Sequence, residues 1–237
     1  MSLQHEIRAI HLNPAADLAE RVLLPGDPHR ALAVAQHLLD GPKMFNHRRG
    51  LWGYTGVAAD GEPLTVQATG MGGPSAAIVT EELIALGARR LVRIGTCGAL
   101  VDDLELGELI AAETVLSADG TSAALGANGA LGSDPELLAR LVAGGARPGT
   151  VVSSDLFYDP REGEAGAWVD SGATVVELEA AAILQVAARR GVAAACVLAV
   201  TDVPAPGGSR RVDGDELERI GLRLGEAGYD SVTVSRS

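Results

Sequence analysis

Lysine is nearly missing from this 237-residue sequence, because Lys43 is the only one among its 19 basic residues. Acidic residues number 31, and the formal net charge is -12. A strongly negative chain lacks the positive potential that general binding to nucleic acids or to membrane surfaces requires. We therefore expect neither kind of partner. If the substrate is an anion, a few arginines must create a local positive site within an acidic molecule.

Cysteines and long apolar runs are also scarce. Cys97 and Cys196 form neither a Cys-x-x-Cys motif nor a zinc-ligand spacing, so we expect free thiols and no metal site. The first residues, MSLQHEIRAIHLNP, contain no continuous apolar stretch of the kind found in signal peptides. No segment approaches the ~18 uninterrupted apolar residues of a membrane span. These features predict a cytoplasmic protein.

Short apolar segments alternate with helical patterns along the chain, which predicts one α/β domain over residues 1–237. We expect a central mixed sheet flanked by helices, with ligands bound at the carboxyl ends of strands. The predicted strands cover residues 21–24, 51–58, 63–68, 91–94, 109–116, 194–201 and a segment ending at 176. The predicted helices cover 30–39, 76–86, 180–190, 215–227 and a segment starting at 134–135. Residues 117–133 and 204–211 are predicted as loops.

Three glycine-rich turns follow predicted strands, at residues 26–27, 70–73 and 95–98. None of them matches a P-loop or a clean dinucleotide-binding motif, and each alone is typical of an ordinary tight turn. However, arginines lie near such turns in the sequence: Arg30, the pair Arg48-Arg49, and Arg93. The arginine guanidinium offers a planar fork of donors that suits phosphate oxygens. Arg93 lies on a predicted buried strand, so an ion pair with Glu81 or Glu82 is an equal alternative to phosphate binding.

Acidic residues stand at two further strand ends. Glu177 and Glu179 lie at a junction between a strand and a helix, where negative charge also favours the helix dipole. Asp202 follows the apolar strand 194–201, and its position favours a site residue over a simple cap.

Seven segments together resemble one family. They are VLLPGDPHRA, FNHRRGLWGYTG, ATGMGGPSAAIVTEELIALGA, VRIGTCGAL, SSDLFYDP, VVELEAA and the strand ending in Thr-Asp. They run from about residue 20 to residue 202 in the order of the nucleoside phosphorylase family. Hexameric members of this family include bacterial purine nucleoside phosphorylase, methylthioadenosine phosphorylase and uridine phosphorylase. The resemblance implies an enzyme with the family's α/β fold.

The resemblance also implies roles for individual residues. Phosphate would be bound by Gly26, Arg30, Arg93 and Thr96. The base would be bound by Phe157, Val176 and Glu177, and the ribose by Leu178 and Glu179. Asp202 matches the general acid of the purine enzymes.

Two further positions match residues that serve a neighbouring subunit. Arg49 would reach the neighbour's phosphate site, and His11 would reach the ribose 5′ end there. His5 is disfavoured for this second role because its distance from Gly26 exceeds the family's spacing. Sites shared in this way imply dimers, which the family assembles into hexamers as trimers of dimers.

The implied chemistry needs no cofactor, because inorganic phosphate is a co-substrate. Phosphate attacks C1′ of the nucleoside, and Asp202 must carry a proton at neutral pH to protonate N7 of the leaving purine. In the bacterial purine enzymes an arginine thirteen residues after the acid assists it. Asp215 occupies that position here, and Arg210 or Arg211 would have to substitute.

The sequence is compatible with four other functions. The Gly-Gly pair and the helix after Asp202 resemble the methylthioadenosine phosphorylase branch more than the bacterial purine nucleoside phosphorylases. Uridine phosphorylases bind uracil with a Gln-x-Arg pair shortly after the SSD-x-FY segment. The corresponding stretch here, DPREGEAGAW, contains Arg161 but not the pair. Uridine phosphorylases also lack an acid at the position of Asp202. A nucleosidase would use water and would need no arginine cage. A non-catalytic nucleoside-binding protein on the same scaffold is the remaining alternative.

Overall fold

The computed structural model describes residues 8–233, which form eleven strands and seven α-helices. The strands are β1 (Arg21–Leu24), β2 (Leu39–Asn46), β3 (Gly53–Ala58), β4 (Pro63–Gln67), β5 (Arg90–Ala99), β6 (Leu109–Ala118), β7 (Leu131–Gly132), β8 (Arg147–Ser154), β9 (Val175–Glu177), β10 (Ala193–Ala205) and β11 (Gly208–Arg211). The helices are α1 (Pro28–Leu38), α2 (Gly73–Leu86), α3 (Gly120–Ala124), α4 (Pro135–Ala143), α5 (Glu164–Asp170), α6 (Ala180–Arg190) and α7 (Gly214–Val232). None of these helices is long and apolar enough to cross a membrane.

The strands join into one mixed sheet that partly closes on itself. Strands β10, β6, β8, β9 and β5 pair in this order, and β5 pairs again with β10, so the five form a ring. From β5 the sheet continues through β1, β4 and β3 to β2. The neighbours β1, β5 and β10 run parallel, so their carboxyl ends lie at the same edge. Ligands bind at such edges in open α/β sheets.

Helices cover the sheet in two groups, each over its own apolar core. Helix α2 packs against α6, whereas α1 and α4 pack against α7. Alternate residues of β1 enter separate clusters, Val22 and Leu24 one and Leu23 the other. This alternation follows from the two-residue period of a strand. All four residues of β1 are buried because helices lie on both sides of the strand.

The predicted fold class, an α/β domain with a mixed sheet flanked by helices, is confirmed. The bounds predicted for β1 and α6 match the structure, and the expected hairpin is formed by β3 and β4. Helix α4 begins as expected, because Asp134 accepts hydrogen bonds from backbone nitrogens of its first turn and proline follows directly.

The loop predicted for residues 117–133 is wrong. The segment contains α3 and β7, which pairs with β6. Helix α3 begins because the Asp119 side chain accepts a hydrogen bond from the backbone nitrogen of Ser122. A single turn rich in alanine and glycine has no apolar period that would reveal it.

The flexible loop predicted for residues 204–211 is also wrong. Strand β10 continues to Ala205 and forms an antiparallel hairpin with β11. Only Pro206 and Gly207 form the turn, and Gly207 has a φ of 83°. Proline followed by glycine at positive φ is the signature of a type II turn. Pro204 is tolerated within β10 because, among the described residues, β10 pairs beyond Asp202 with β11 alone, which leaves the other side of the strand without a ladder partner there.

The first described segment is fastened to α2 by one carboxylate. Glu82 is only 3% exposed, and it accepts hydrogen bonds from the backbone nitrogens of Ile10, His11 and Leu12. The His11 ring also contacts it, with Nδ1 2.6 Å from Oε1. Burial by itself would raise the pKa of Glu82, but these hydrogen bonds lower it below its ordinary value.

We predict that Gly228→Ala destabilises the protein. A Cβ added at Gly228 in α7 would lie 2.7 Å from Ile94 Cγ2, so α7 must move away from the sheet. The expected loss is about 1–3 kcal/mol of unfolding free energy, measured by chemical denaturation. Gly166→Ala in α5 is the control, because its Cβ meets nothing within 4 Å. The control should be neutral or up to ~1 kcal/mol more stable, and equal losses would contradict the packing argument.

We predict that Glu82→Gln lowers stability at neutral pH by about 1–3 kcal/mol, because backbone donors lose their charged acceptor. A lowered pKa in the folded state means that the wild-type advantage is present above the ordinary glutamate pKa. It is lost as pH falls towards the folded-state value, so the two melting temperatures should converge in acid. Glu81→Gln is the control, since Glu81 faces Arg190 at 3.3 Å. A gap between wild type and Glu82→Gln that stays constant with pH would refute the linkage.

Candidate active site

A cavity of about 700 Å³ lies where β5, β9 and β10 end. This volume is in the range that small-molecule sites occupy. Every predicted site residue except His11 and Arg49 lines it. The lining residues are Gly26, Asp27, Pro28, Arg30, Gly70, Met71, Arg93, Gly95, Thr96, Cys97, Gly98, Leu156, Phe157, Val176, Glu177, Leu178, Glu179, Thr201, Asp202 and Arg211.

Arg93 is the central cation of the cavity. It lies on β5 and is only 3% exposed. Its Nε donates to Glu177 Oε2 at 2.8 Å, and its Nη2 lies 2.5 Å from Glu179 Oε2. Its Nη1 has no hydrogen-bond partner among residues 8–233. Burial disfavours the charge, but Glu179 and Glu177 hold the pKa of Arg93 above its ordinary value.

The ion pair expected for Arg93 therefore exists, but its partners are not the expected ones. Glu82 holds the segment of residues 10–12, and Glu81 faces Arg190. Arg93 is ion-paired and also lines the cavity, so the structure supports an ion pair without excluding the phosphate binding that the sequence posed as its alternative. The guanidinium folds back over Gly95, where an added Cβ would lie 2.7 Å from its Cζ. Glycine at this position is what allows the arginine to reach both carboxylates.

Arg30 brings a second cation to the cavity. It sits in the first turn of α1, where Asp27 accepts hydrogen bonds from the backbone nitrogens of His29 and Arg30. Burial lowers the pKa of Arg30, Asp27 opposes this shift, and Arg93 adds to it. The two guanidinium groups therefore carry like charge on the wall of one cavity and repel each other. An anion placed between two such groups would relieve that repulsion.

Glu179 links the arginines to the glycine-rich turn before α2. Its Oε1 accepts a hydrogen bond from the backbone nitrogen of Gly72 at 2.5 Å, and Oε2 faces Arg93. Burial raises the pKa of Glu179, and Arg93 opposes this rise. Gly72 has a φ of 85°, a backbone conformation that glycine adopts at little cost.

The Glu177 side chain is fully engaged by the protein itself. It accepts hydrogen bonds from Arg93 Nε, from Ser153 Oγ and from the backbone nitrogens of Glu179 and Ala180. A carboxylate has about four lone-pair positions, and these donors occupy them. The Glu177 side chain therefore has no free acceptor for the base-binding role that the resemblance implied. Val176 and Phe157 remain on the cavity wall.

Asp202 lies at an irregularity in β10. The pairing register with β5 shifts between Val200 and Asp202, as at a β-bulge, a feature that often re-aims a side chain beside a site. Thr201 Oγ1 donates to Asp202 Oδ2 at 2.9 Å. The carboxylate is also paired with Arg211 Nε from the hairpin strand β11. Arg211 Cζ lies 5.4 Å from the ring centre of Phe157, within cation–π range.

Of the two arginines expected to assist the acid, the structure brings Arg211 to it. Asp202 and Arg211 are register partners across the β10–β11 hairpin. Arg210 is the register partner of Val203, and successive side chains of a strand point to opposite faces. The pairing of β10 with β11, which the sequence did not predict, determines that Arg211 and not Arg210 is paired with Asp202.

His11 and Arg49 lie outside the cavity of their own chain, and His5 lies outside the described residues. Arg49 is exposed within a short 3-10 turn, Arg48–Gly50, and is the one non-glycine residue at positive φ (59°) in residues 8–233. Asn46 stabilises this turn, since its Nδ2 donates to the Leu51 carbonyl at 2.6 Å. Its Oδ1 accepts from the backbone nitrogen of Asn13, two residues after His11. One buried amide thus joins the two segments that carry the predicted neighbour-facing residues.

Ser153 and Asn46 are the residues that sequence reasoning overlooked. Ser153 donates to Glu177 and accepts from the backbone nitrogen of Ala181. Both residues stand inside segments that carried the family resemblance, and both are completely buried. A buried polar residue within such a segment is the signal that would have identified them.

Comparison with known proteins places this geometry in a family. The family model of the Phosphorylase superfamily matches residues 20–227. A purine nucleoside phosphorylase DeoD-type from Caldanaerobacter subterraneus subsp. tengcongensis is 37% identical over 205 residues, 82% of this chain and 88% of the relative. A protein of the same name from Jannaschia sp. (strain CCS1) is 38% identical over 203 residues, 81% and 86% respectively. One from Alkaliphilus metalliredigens is 35% identical over 212 residues, 84% and 90%. The chain belongs to the phosphorylase superfamily.

Proposed function

We propose that this protein catalyses the phosphorolysis of purine ribonucleosides and deoxyribonucleosides, giving the free base and the pentose 1-phosphate. The observation that carries the proposal is the buried Arg93, whose Nη1 is unpartnered within residues 8–233 while its other nitrogens are held by carboxylates. An unpaired buried donor is costly and calls for an acceptor from a ligand. Together with Arg30 it forms a cationic site suited to inorganic phosphate.

The rest of the cavity supports the same reaction. Gly26 and Thr96 line it beside the arginines, and the phosphate is positioned there as the nucleophile. Glu179, with Leu178 next to it, orients the ribose hydroxyls. A phosphate oxygen forms a bond to C1′ while the bond from C1′ to the base breaks, and the bonding electron pair leaves with the base. The proposed reaction uses inorganic phosphate as co-substrate and no cofactor.

Asp202 and Arg211 form the proposed leaving-group end of the site. Asp202 donates a proton to N7 of the purine, which neutralises the negative charge that the departing base would carry. Arg211, already paired with Asp202, stabilises the carboxylate that remains after the transfer. Phe157 provides the face against which the base lies, with Val176 on the adjoining wall. The assisting arginine proposed here stands on the hairpin strand β11, whereas Asp215, thirteen residues after the acid, lies in α7.

A purine is favoured over a pyrimidine by two observations. The three relatives described above are named as purine nucleoside phosphorylases, and Asp202, the proposed proton donor to the base, lines the cavity. Uridine phosphorolysis and 5′-methylthioadenosine phosphorolysis are the alternatives within the family. A nucleoside hydrolase would use water in place of phosphate, so it would not need Arg30 and Arg93 in the cavity.

We further propose that the active protein is a cytoplasmic homo-oligomer, a hexamer built as a trimer of dimers. His11 and Arg49 complete the neighbour's ribose and phosphate sites in this arrangement. Glu82 holds the His11 ring, and Asn46 joins the segment after His11 to the turn that carries Arg49. These contacts support the proposal, because neither residue lines the cavity of its own chain.

Turnover with and without phosphate tests the function. Adenosine, inosine, guanosine, 5′-methylthioadenosine and uridine are each incubated with the enzyme, and release of free base is followed by chromatography. We expect purine release only when phosphate is present, together with pentose 1-phosphate. Release without phosphate would indicate a hydrolase, uridine as the best substrate would overturn the purine assignment, and no turnover would indicate a binding protein.

We predict that Arg211→Ala lowers kcat for purine nucleosides about 10- to 100-fold, as expected when one charged hydrogen bond to the acid is lost. The KM for phosphate should change little, because Arg211 contacts Asp202 and Phe157 rather than Arg93. Arg210→Ala is the matched control, being the same substitution one residue away on the other face of β11. Equal activity of the two variants would remove Arg211 from the mechanism.

A further inference from the structure

We propose that Glu177 is a positioning residue for phosphate: it fixes the guanidinium plane of Arg93 so that Nη1 is presented to the anion. This inference rests on the phosphate-binding role proposed above for Arg93. Glu177 is not assigned contact with the substrate, because its acceptor positions are occupied within the protein.

The geometry leaves Arg93 a single orientation. Glu177 Oε2 accepts from Nε at 2.8 Å, and Glu179 Oε2 faces Nη2 at 2.5 Å. A guanidinium is planar, so fixing two of its nitrogens determines where the third one lies. Glu179 alone would fix one nitrogen and leave the plane free to rotate about that contact. The second anchor, at Nε, comes from Glu177.

Glu177 is itself held more firmly than a typical ion-pair partner. Its side chain is 1% exposed, and backbone nitrogens of Glu179 and Ala180 donate to it at 2.8 and 2.9 Å. Ser153 Oγ donates to its other oxygen and accepts from the Ala181 backbone nitrogen at 2.9 Å. The carboxylate is therefore built into the first turn of α6. The same turn follows Glu179, so the phosphate and ribose ends of the cavity share one support.

Charge alone does not explain why an acid occupies this position. A negative side chain beside the phosphate site repels a dianion, so a purely electrostatic account predicts tighter phosphate binding when the charge of Glu177 is removed. A positioning role predicts the opposite dependence: reach matters and charge matters less. The two accounts can be separated by two substitutions at this residue.

Glu177→Asp and Glu177→Gln make this separation. Aspartate keeps the charge and can still accept from the backbone of α6, but it is shorter by one carbon–carbon bond, about 1.5 Å, and cannot reach Arg93 Nε. Glutamine keeps the length and one acceptor oxygen but loses the charge. Phosphate affinity is measured by titration calorimetry on each full-length protein without nucleoside, and KM for phosphate and for inosine is measured separately.

We expect Glu177→Asp to weaken phosphate binding about tenfold or more, as for loss of a charged hydrogen bond, and Glu177→Gln to weaken it less than about threefold. The KM for inosine should change less than about threefold in both. Asp60→Asn is the control, because it removes the charge of another buried ion pair, with Arg21. It should lower the melting temperature and leave phosphate affinity unchanged.

Several results would overturn the inference. These are unchanged phosphate affinity in Glu177→Asp, tighter binding in Glu177→Gln, or equal weakening in both variants. A parallel loss of phosphate and inosine affinity would indicate a merely structural role. Calorimetry reports on phosphate without turnover, so wild-type protein that binds phosphate but releases no base would contradict the proposed function and leave this test valid.

Discussion

The interaction on which the site depends is the ion pair of one buried arginine with two buried carboxylates. Arg93 lies on β5, Glu177 lies on β9, and Glu179 directly precedes α6. Each charge would be costly alone in the interior, and together they compensate one another. The group requires three elements to meet at the edge of the ring of strands. The fold and the proposed anion site therefore specify each other.

This arrangement also reconciles the net charge of -12 with the anionic ligand proposed for the cavity. Arg93 is buried and Arg30 half-buried in the cavity, where low dielectric strengthens nearby interactions, whereas solvent screens the more distant charges of the acidic surface. Arg93 is paired with two carboxylates, so in the proposed site it offers the ligand a directed N–H group and no excess positive charge. Arg30 contributes the less compensated cation. Local geometry thus outweighs the global charge at this position.

Much of the site could be predicted from the sequence because its residues stand in contiguous segments beside strand ends. Arg30, Arg93, Glu179 and Asp202 all line one cavity as the resemblance implied. The partners of Arg93 could not be predicted, since Glu177 and Glu179 are more than eighty residues away in the chain and meet it only through the pairing of β5 with β9. The choice between Arg210 and Arg211 likewise depended on a register that composition does not contain.

The fold was predictable where apolar residues are continuous, as in β1, or recur with a helical period, as in α6. Elements without that signal were missed: β2 carries glycine, proline and exposed side chains, and α5 buries none of its residues. The hairpin of β10 and β11 was mistaken for a loop because it is made of proline, glycine, serine and arginine.

The two-residue turn of this hairpin limits how the sequence of this family member can diverge. A one-residue insertion or deletion there would exchange the faces of Arg210 and Arg211, so the length of this turn is constrained more tightly than its composition.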